Sequence, residues 1–208
     1  VTGRPRPTPA MHFTRIENLA GIVASGLQSD AMVRESSQTI VEVGNAAIKE
    51  RRRGQPVGCG AGGYVGDYAP MYFAARNSMS FLLYKQGISF ERVIYLQTSV
   101  ERVQALGLTW VVSNRNAAQA LAAFTDVAAE LDTHVDWAVI GSSSWGRTDD
   151  DPDRPARRQA ELLVHRVLPW EAVERIVTKT PAVATEVRSI LASAGRSVAV
   201  DVIPHWYF

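Results

Sequence analysis

A glutamate at the head of an apolar run is the first feature of this sequence with chemistry in it. Glu161 opens AELLVHRVL. A carboxylate in that place either ends an exposed strand or is held for reaction, where it stabilises a growing positive charge or takes a proton. His165 follows on the same face of the run and reads as a core or rim histidine. His12 lies in AMHFTRIENLAGIVASGL, either as a residue near the start of a core strand or as a ligand-binding imidazole. In PMYFAARNSMSFLLY, Tyr72 and Phe73 point to opposite faces by the strand period of two. One of them meets a core, and the other is available to stack on a flat ring. The run IKERRR brings Arg51, Arg52 and Arg53 to a helix end, where they either offset the dipole or hold an anion.

Two loops complete this inventory. GCGAGG (58–63) fits G-x-G-x-x-G but fails as a dinucleotide fingerprint: Pro56 and a basic helix precede it, no strand leads in, and the Lys-Ser/Thr of a phosphate loop is absent. It reads as a flexible loop that can pack near a ligand. SSSWGRTDDDPDRPARR (142–158) is long, polar and punctuated by proline, and it ends three residues before Glu161. Its acidic half (Asp149, Asp150, Asp151, Asp153) can pair with its basic half (Arg154, Arg157, Arg158).

The elements that must position these residues follow from pattern. Residues 1–9, with Pro at 5, 7 and 9, read as a disordered arm. Residues 10–16 read as a strand; Asn18 is placed to cap a short helix that Gly26 ends. The pattern predicts helices over 40–53, 77–87 (capped by Asn77), 116–131 and 185–194, with another in VERVQALG. It predicts strands at 70–74, 92–100, TWVVS, 136–141 (DWAVIG), 160–168, 173–180 and the closing SVAVDVIPHWYF. Many short strands with irregularly placed helices indicate an α+β fold rather than an alternating doubly wound sheet.

Composition narrows the function classes. The 208 residues suit one domain with a sizeable core, 46% hydrophobic and 21% charged. No apolar run reaches the ~18–20 residues that span a bilayer, and VTGRPRPTPA lacks a signal-peptide core, so the expectation is a cytoplasmic protein without membrane contact. Cys59 is the single cysteine and the four histidines are scattered, so no metal is expected. A net charge of +1 gives no global pull on nucleic acid. Arginine greatly outnumbers lysine, from GC-rich coding or for phosphate and base contacts.

Taken in order, these motifs resemble the ADP-ribosyltransferase fold of the poly(ADP-ribose) polymerase type, with split mixed or antiparallel sheets and peripheral helices around an NAD cleft. The closer resemblance is to the DarT family, toxins that attach ADP-ribose to DNA bases. It is carried by MHFTRIENLAGIVASGL, IKERRR, DYAPMYFAARNSM, DWAVI, RRQAELLVHRVLPW and the terminal WYF, from about residue 10 to 208. The resemblance implies that His12, Tyr72 and Glu161 line an NAD site, with Gly26-Leu27 closing the first helix and Ser78 following the middle strand. Thr14 and Asn18 are close enough in sequence to help hold NAD, and His12 would bond the ribose of its adenosine half. Arg51 stands where the family has a functional arginine, to hold phosphates or orient the base; the register among 51–53 stays open.

The resemblance also implies the chemistry. Breaking the nicotinamide–ribose bond leaves an oxocarbenium-like sugar, which Glu161 would stabilise before taking a proton from the attacking base nitrogen. Thymidine in single-stranded DNA is the favoured acceptor, because a base in a duplex must first be unstacked. The 142–158 loop would recognise it, with Trp145 for stacking and Arg147, Arg154, Arg157 and Arg158 along the backbone. A macrodomain antitoxin is the implied partner. Rival readings are transfer to guanosine, RNA or protein, an NAD glycohydrolase, and a binding module without catalysis.

Overall fold

PAMHFTR, buried at Ala10, Met11, Phe13 and Thr14, forms the first strand, β1 (Pro9–Arg15). A computed structural model describes residues 3–36, 40–41 and 46–208. In it the strands that follow are β2 (Leu27–Gln28), β3 (Tyr68–Tyr72), β4 (Val93–Ser99), β5 (Trp110–Ser113), β6 (Phe124–Thr125), β7 (Glu161–His165), β8 (Val167–Leu168), β9 (Arg175–Thr178) and β10 (Ala199–Val202). The helices are α1 (Leu19–Ser25), α2 (Asp30–Glu35), α3 (Ala46–Gly54), α4 (Ser78–Lys85), α5 (Val100–Ala105), α6 (Leu131–His134), α7 (Trp137–Gly141), α8 (Arg154–Arg157) and α9 (Pro181–Ser193).

Among the described residues the strands form one sheet in the order β10-β9-β4-β1-β3-β7-β5-β6 and a separate β2-β8 pair. β10 and β9 run parallel and the other neighbours antiparallel, the mixed α+β arrangement that the sequence predicts. The sheet is split at its centre. β1 pairs with β4 from Pro9↔Ser99 to Arg15↔Val93, and β3 pairs with β7 from Tyr68↔His165 to Tyr72↔Glu161. β1 and β3 share the single pair Met11↔Tyr72. A proline inside a sheet normally removes a ladder bond. Pro70 sits where the ladder to β1 has already parted, and its carbonyl accepts from His12 Nδ1 at 2.9 Å.

One face of the sheet buries Ala10, Ile94, Leu96, Leu162 and Val164 against α1, α7 and α9. The other buries Met11, Phe13, Tyr72, Tyr95 and Tyr207 against Met79 and Leu83 of α4. Phe73 falls in the first cluster and Tyr72 in the second, the opposed orientation expected of them. The glycine loop at 58–63 sits by a third cluster, of Val57, Val65, Tyr68, Val111 and Leu163, with Gly60 N–H donating to Asp126 at 2.9 Å.

Several expectations change. The 1–9 segment is packed where it is described, because its polar groups find partners. Thr8 is fully buried, its N–H donates to Glu101 at 2.7 Å, and Arg4 bonds the same carboxylate at 3.0 Å. DWAVIG is a helix, not a strand: Asp136 accepts from Val139 N–H at 3.0 Å and caps it, which decides a short apolar run that periodicity leaves ambiguous. The Ala-rich 116–131 stretch is mostly turn, with β6 inside it. Asn114 and Asn116 accept from Ala123 and Ala118 backbone N–H groups and so compete with a helix. The basic helix is α3, and positions 42–45 of the expected 40–53 helix lie outside the described residues. α9 starts earlier than expected, at Pro181, because Thr180 caps it. The 142–158 loop carries the short helix α8.

Candidate active site

The split in the sheet makes a cavity of about 430 Å³. His12 and Thr14 belong by alternation to the face that carries Ala10, while Pro70 and Tyr72 belong to the opposite one. Both sets line this cavity, so it passes through the parted strands rather than lying on the sheet. Asn18, Gln28, Asp30, Lys49 and Arg52 add polar side chains to the wall, with Gly26 and Leu27 beside them. The size lies within the ~300–1,000 Å³ usual for small-molecule sites.

Each residue is positioned by its element. Pro70's carbonyl can only accept, so His12 carries its proton on Nδ1, leaving Nε2 as an acceptor. Burial, with the charges of Arg52 and Lys49 added, outweighs that hydrogen bond and pushes the imidazole down to about 4. Asn18 does not cap α1. Its amide bonds Thr14 Oγ1 at 3.0 Å and both backbone groups of Val41, at 2.9 and 2.8 Å. Gly26 ends α1 at φ 79°, and a Cβ there would lie 2.6 Å from Val167 Cγ1 and 2.7 Å from Leu168 O. Glycine alone lets α1 turn into β2 this close to β8, which sets Leu27 at the cavity wall.

Glu161 is fully buried at the start of β7, directly across from Tyr72. Its Oε2 accepts from Arg52 Nη1 at 2.8 Å and its Oε1 from Ala117 N–H at 3.0 Å. The carboxylate does not itself line the cavity; Arg52 links it to the wall. Burial works against the charge on Arg52, but Glu161 more than offsets it and keeps the guanidinium fully protonated. Burial and the neighbouring carboxylate hold the Tyr72 phenol well above its usual range, so it remains a neutral donor.

Among the described residues, two buried polar atoms at this cavity have no hydrogen-bond partner: Arg52 Nη2, a donor, and Gln28 Oε1, an acceptor. Buried polar groups are nearly always paired, so this combination fits a polar ligand that accepts and donates, as the phosphates, ribose hydroxyls and amides of NAD do.

Of the arginine run, Arg52 is therefore the residue that reaches the carboxylate, not Arg51. Arg53 turns away to Asp30 at 2.9 Å. Arg51 is exposed and lines a smaller depression of about 190 Å³ with Ser78, Leu82, Asn116 and Gln159. Ile48 and Met79 border both spaces. Asn116 Nδ2 donates to Gln159 Oε1 at 2.8 Å beside the loop that holds Glu161. Ser78 does not reach the larger cavity; its hydroxyl bonds Pro155 O at 3.3 Å. Sequence reasoning favoured Arg51 while leaving the register of the run open, and it did not single out Gln28, Asn116 or Gln159. Three adjacent arginines give no register, and isolated amides carry no spacing signal.

The 142–158 loop divides. Trp145 stands edge-on to Phe81 (centroids 6.4 Å) with the Arg158 guanidinium 5.8 Å from its ring. Arg147 is exposed, and Arg154 bonds Ser142 Oγ at 3.1 Å. Arg157 and Arg158, expected along a DNA backbone, are engaged inside the protein. Arg157 bonds Asp136 at 3.0 Å and Asp151 at 2.7 Å. Arg158 donates to the carbonyls of Val139, Ile140 and Ser142 at 2.6–2.8 Å and to Arg76 O at 3.0 Å, closing the C-terminal end of α7. Burial, then Arg76 and Arg154, push it down to about 10.

Comparison with known proteins gives the family and the fold. The family model described as ssDNA thymidine ADP-ribosyltransferase, DarT, matches residues 11–208. A Thermus sp. protein named DNA ADP-ribosyl transferase is 31% identical over 210 residues, covering 98% of each chain. The structure of Thermus sp. 2.9 DarT with ADP-ribosylated ssDNA superposes with a TM-score of 0.90 at 30% identity, over 100% of this chain and 99% of that one. The same protein's complex with NAD+ gives 0.84 at 29% identity, over 98% and 99%. The chain belongs to the DarT family of ssDNA thymidine ADP-ribosyltransferases.

Proposed function

We propose that this chain transfers ADP-ribose from NAD to a thymidine base of single-stranded DNA, with Glu161 at the reacting sugar and Arg52 as its partner. The observation that carries the reading is the buried Arg52–Glu161 pair, whose spare guanidinium nitrogen has no partner among the described residues at a through-sheet cavity. NAD occupies that cavity. His12 Nε2 accepts from a hydroxyl of the adenosine ribose, and Gly26 and Leu27 bring backbone close to it. The C1′–N bond to nicotinamide breaks, and Glu161 stabilises the positive sugar carbon left behind. A thymine ring nitrogen forms the new bond to C1′, and its proton passes to Glu161.

The smaller depression receives the base. Ile48 and Met79 border both spaces, and Glu161 lies buried, bonded to Arg52 of the NAD cavity and to Ala117 N–H beside the depression, so each reactant would reach the carboxylate from its own side. Arg51 supplies a cation there, and the Asn116–Gln159 amide pair faces the base edge. Among the described residues no helix is long and apolar enough to cross a membrane. NAD and DNA meet in the cytoplasm, which is the compartment this reading needs. A macrodomain antitoxin that removes the modification is the partner it implies, and restoration of labelled DNA by such a protein tests that.

Incubation with NAD and thymidine-containing oligonucleotides, read by mass spectrometry, tests the activity. An added ADP-ribose on thymidine, lost in a folded Glu161→Gln variant, is expected. Labelling of RNA, protein or guanosine in its place, or a Glu161→Gln variant at full rate, overturns the reading.

A further inference from the structure

The outer face of α4 is an aromatic ledge that the site described above does not use. Phe81 and Tyr84 are 40% and 48% exposed, beside Leu82 at 40%. Phe208 packs against both rings, at 5.3 Å from Phe81 and 5.7 Å from Tyr84, the latter nearly parallel. Trp145 extends the row beyond Phe81. Cations interleave with the rings. The Arg76 guanidinium lies 4.3 Å over Phe208, Lys85 lies 5.8 Å from the Phe81 ring, and Arg158 flanks Trp145. Among the described residues, neither Arg76 nor Lys85 forms an ion pair with a carboxylate.

The ledge is continuous with the smaller depression. Ser78, Met79 and Leu82 line that depression, and Phe81, Tyr84 and Lys85 follow on the same helix. Flat rings, Phe81 and Tyr84 exposed and Phe208 and Trp145 half-buried, set beside Arg76 and Lys85 match a strand of unpaired bases, whose faces stack and whose phosphates are negative. An apolar protein partner would not call for the unpaired cations.

We propose that the α4 ledge (Phe81, Tyr84, Phe208 and Trp145, with Arg76 and Lys85) is a stacking subsite for the nucleotides that flank the target base. This rests on the reading of the chain as a single-stranded-DNA enzyme and adds where the strand runs beyond the reacting nucleotide. Affinity therefore has two parts: a depression that takes one base, and a ledge that takes its neighbours in any sequence.

The test is fluorescence-anisotropy binding of a thymidine-containing 12-mer and a trimer, without NAD, to wild type and to Phe81→Ala, Tyr84→Ala and Phe81→Leu. Loss of a ring should weaken the 12-mer roughly tenfold, with trimer labelling from NAD unchanged, which shows that the fold and site are intact. Phe81→Leu keeps apolar bulk and should behave like Phe81→Ala; Phe81→Trp should retain affinity. Arg76→Ala should lower the salt slope of 12-mer binding by about 1. Unchanged 12-mer affinity in the Phe81→Ala/Tyr84→Ala double variant overturns the proposal. So does a wild-type dimer in sedimentation that the double variant converts to monomer. If wild type labels no oligonucleotide yet the 12-mer still binds through these rings, the proposed function fails and the ledge stands.

Discussion

Tyr72 and Glu161 face each other across β3 and β7, and the guanidinium of Arg52 reaches the same carboxylate from α3 at 2.8 Å. A phenol, a carboxylate and a cation are thus fixed by three separate elements. Each is buried, and the carboxylate favours the charged form of Arg52 and the neutral form of Tyr72.

Removing the cation alone should be the most damaging change. Arg52→Ala leaves a buried carboxylate without its ion-pair partner, a loss of about 3–5 kcal/mol. Glu161→Gln should cost less, because an amide still accepts from Arg52. Urea denaturation of both, and of Arg52→Leu/Glu161→Leu, measures this; a double variant less stable than Arg52→Ala would show the pair is not coupled.

His12 makes stability depend on pH. Its imidazole titrates near 4 in the fold and near 6.5 when unfolded, so the unfolded chain binds the proton first. The contribution is fully present above pH ~6.5 and is lost as pH falls toward ~4. Between pH 7.5 and 5 the loss is about 2 kcal/mol at most. His12→Asn keeps a donor for Pro70 O and should flatten that slope in parallel denaturant titrations at the two pH values.

Gly26→Ala should cost at least about 1–2 kcal/mol from its backbone conformation. The added Cβ meets Leu168 O at 2.7 Å, so β2 must also shift from β8. Weaker NAD binding by calorimetry, together with a lower melting temperature, is expected; unchanged NAD affinity would remove Leu27 from the cavity wall's function.

Arg158→Ala separates a structural arginine from a DNA-contacting one. It strips hydrogen bonds from the carbonyls of Val139, Ile140 and Ser142, so stability should fall by roughly 2 kcal/mol. The salt dependence of oligonucleotide binding should stay the same. A reduced salt slope at unchanged stability would return Arg158 to the DNA.

What the sequence makes legible is local. β1, β3, β4 and the Asn77-capped α4 follow from short apolar or β-branched runs and one capping residue. The order of His12, Tyr72 and Glu161 along the chain is enough to indicate the site, and the structure brings His12 and Tyr72 to one cavity and Glu161 to its Arg52 wall. What is not legible depends on partners far along the chain. Arg52 is singled out from its neighbours by a carboxylate 109 residues away. Arg157 and Arg158 look like solvated phosphate binders until Asp136 and the end of α7 are placed beside them. DWAVIG holds strand-like residues, and a capping bond makes it a helix.

The single rung between Met11 and Tyr72 has one more consequence. Most enzymes that must enclose a substrate do so with a lid, whose motion then sets how tightly the reactants are held. Here the strand side of the doorway is framed by two hydrogen-bonded ladders, each anchored along its own length, so its width on that side is a property of strand pairing. Tuning which molecules pass would mean altering the angle at which two half-sheets lean apart, a change that residues far from any bound group can make.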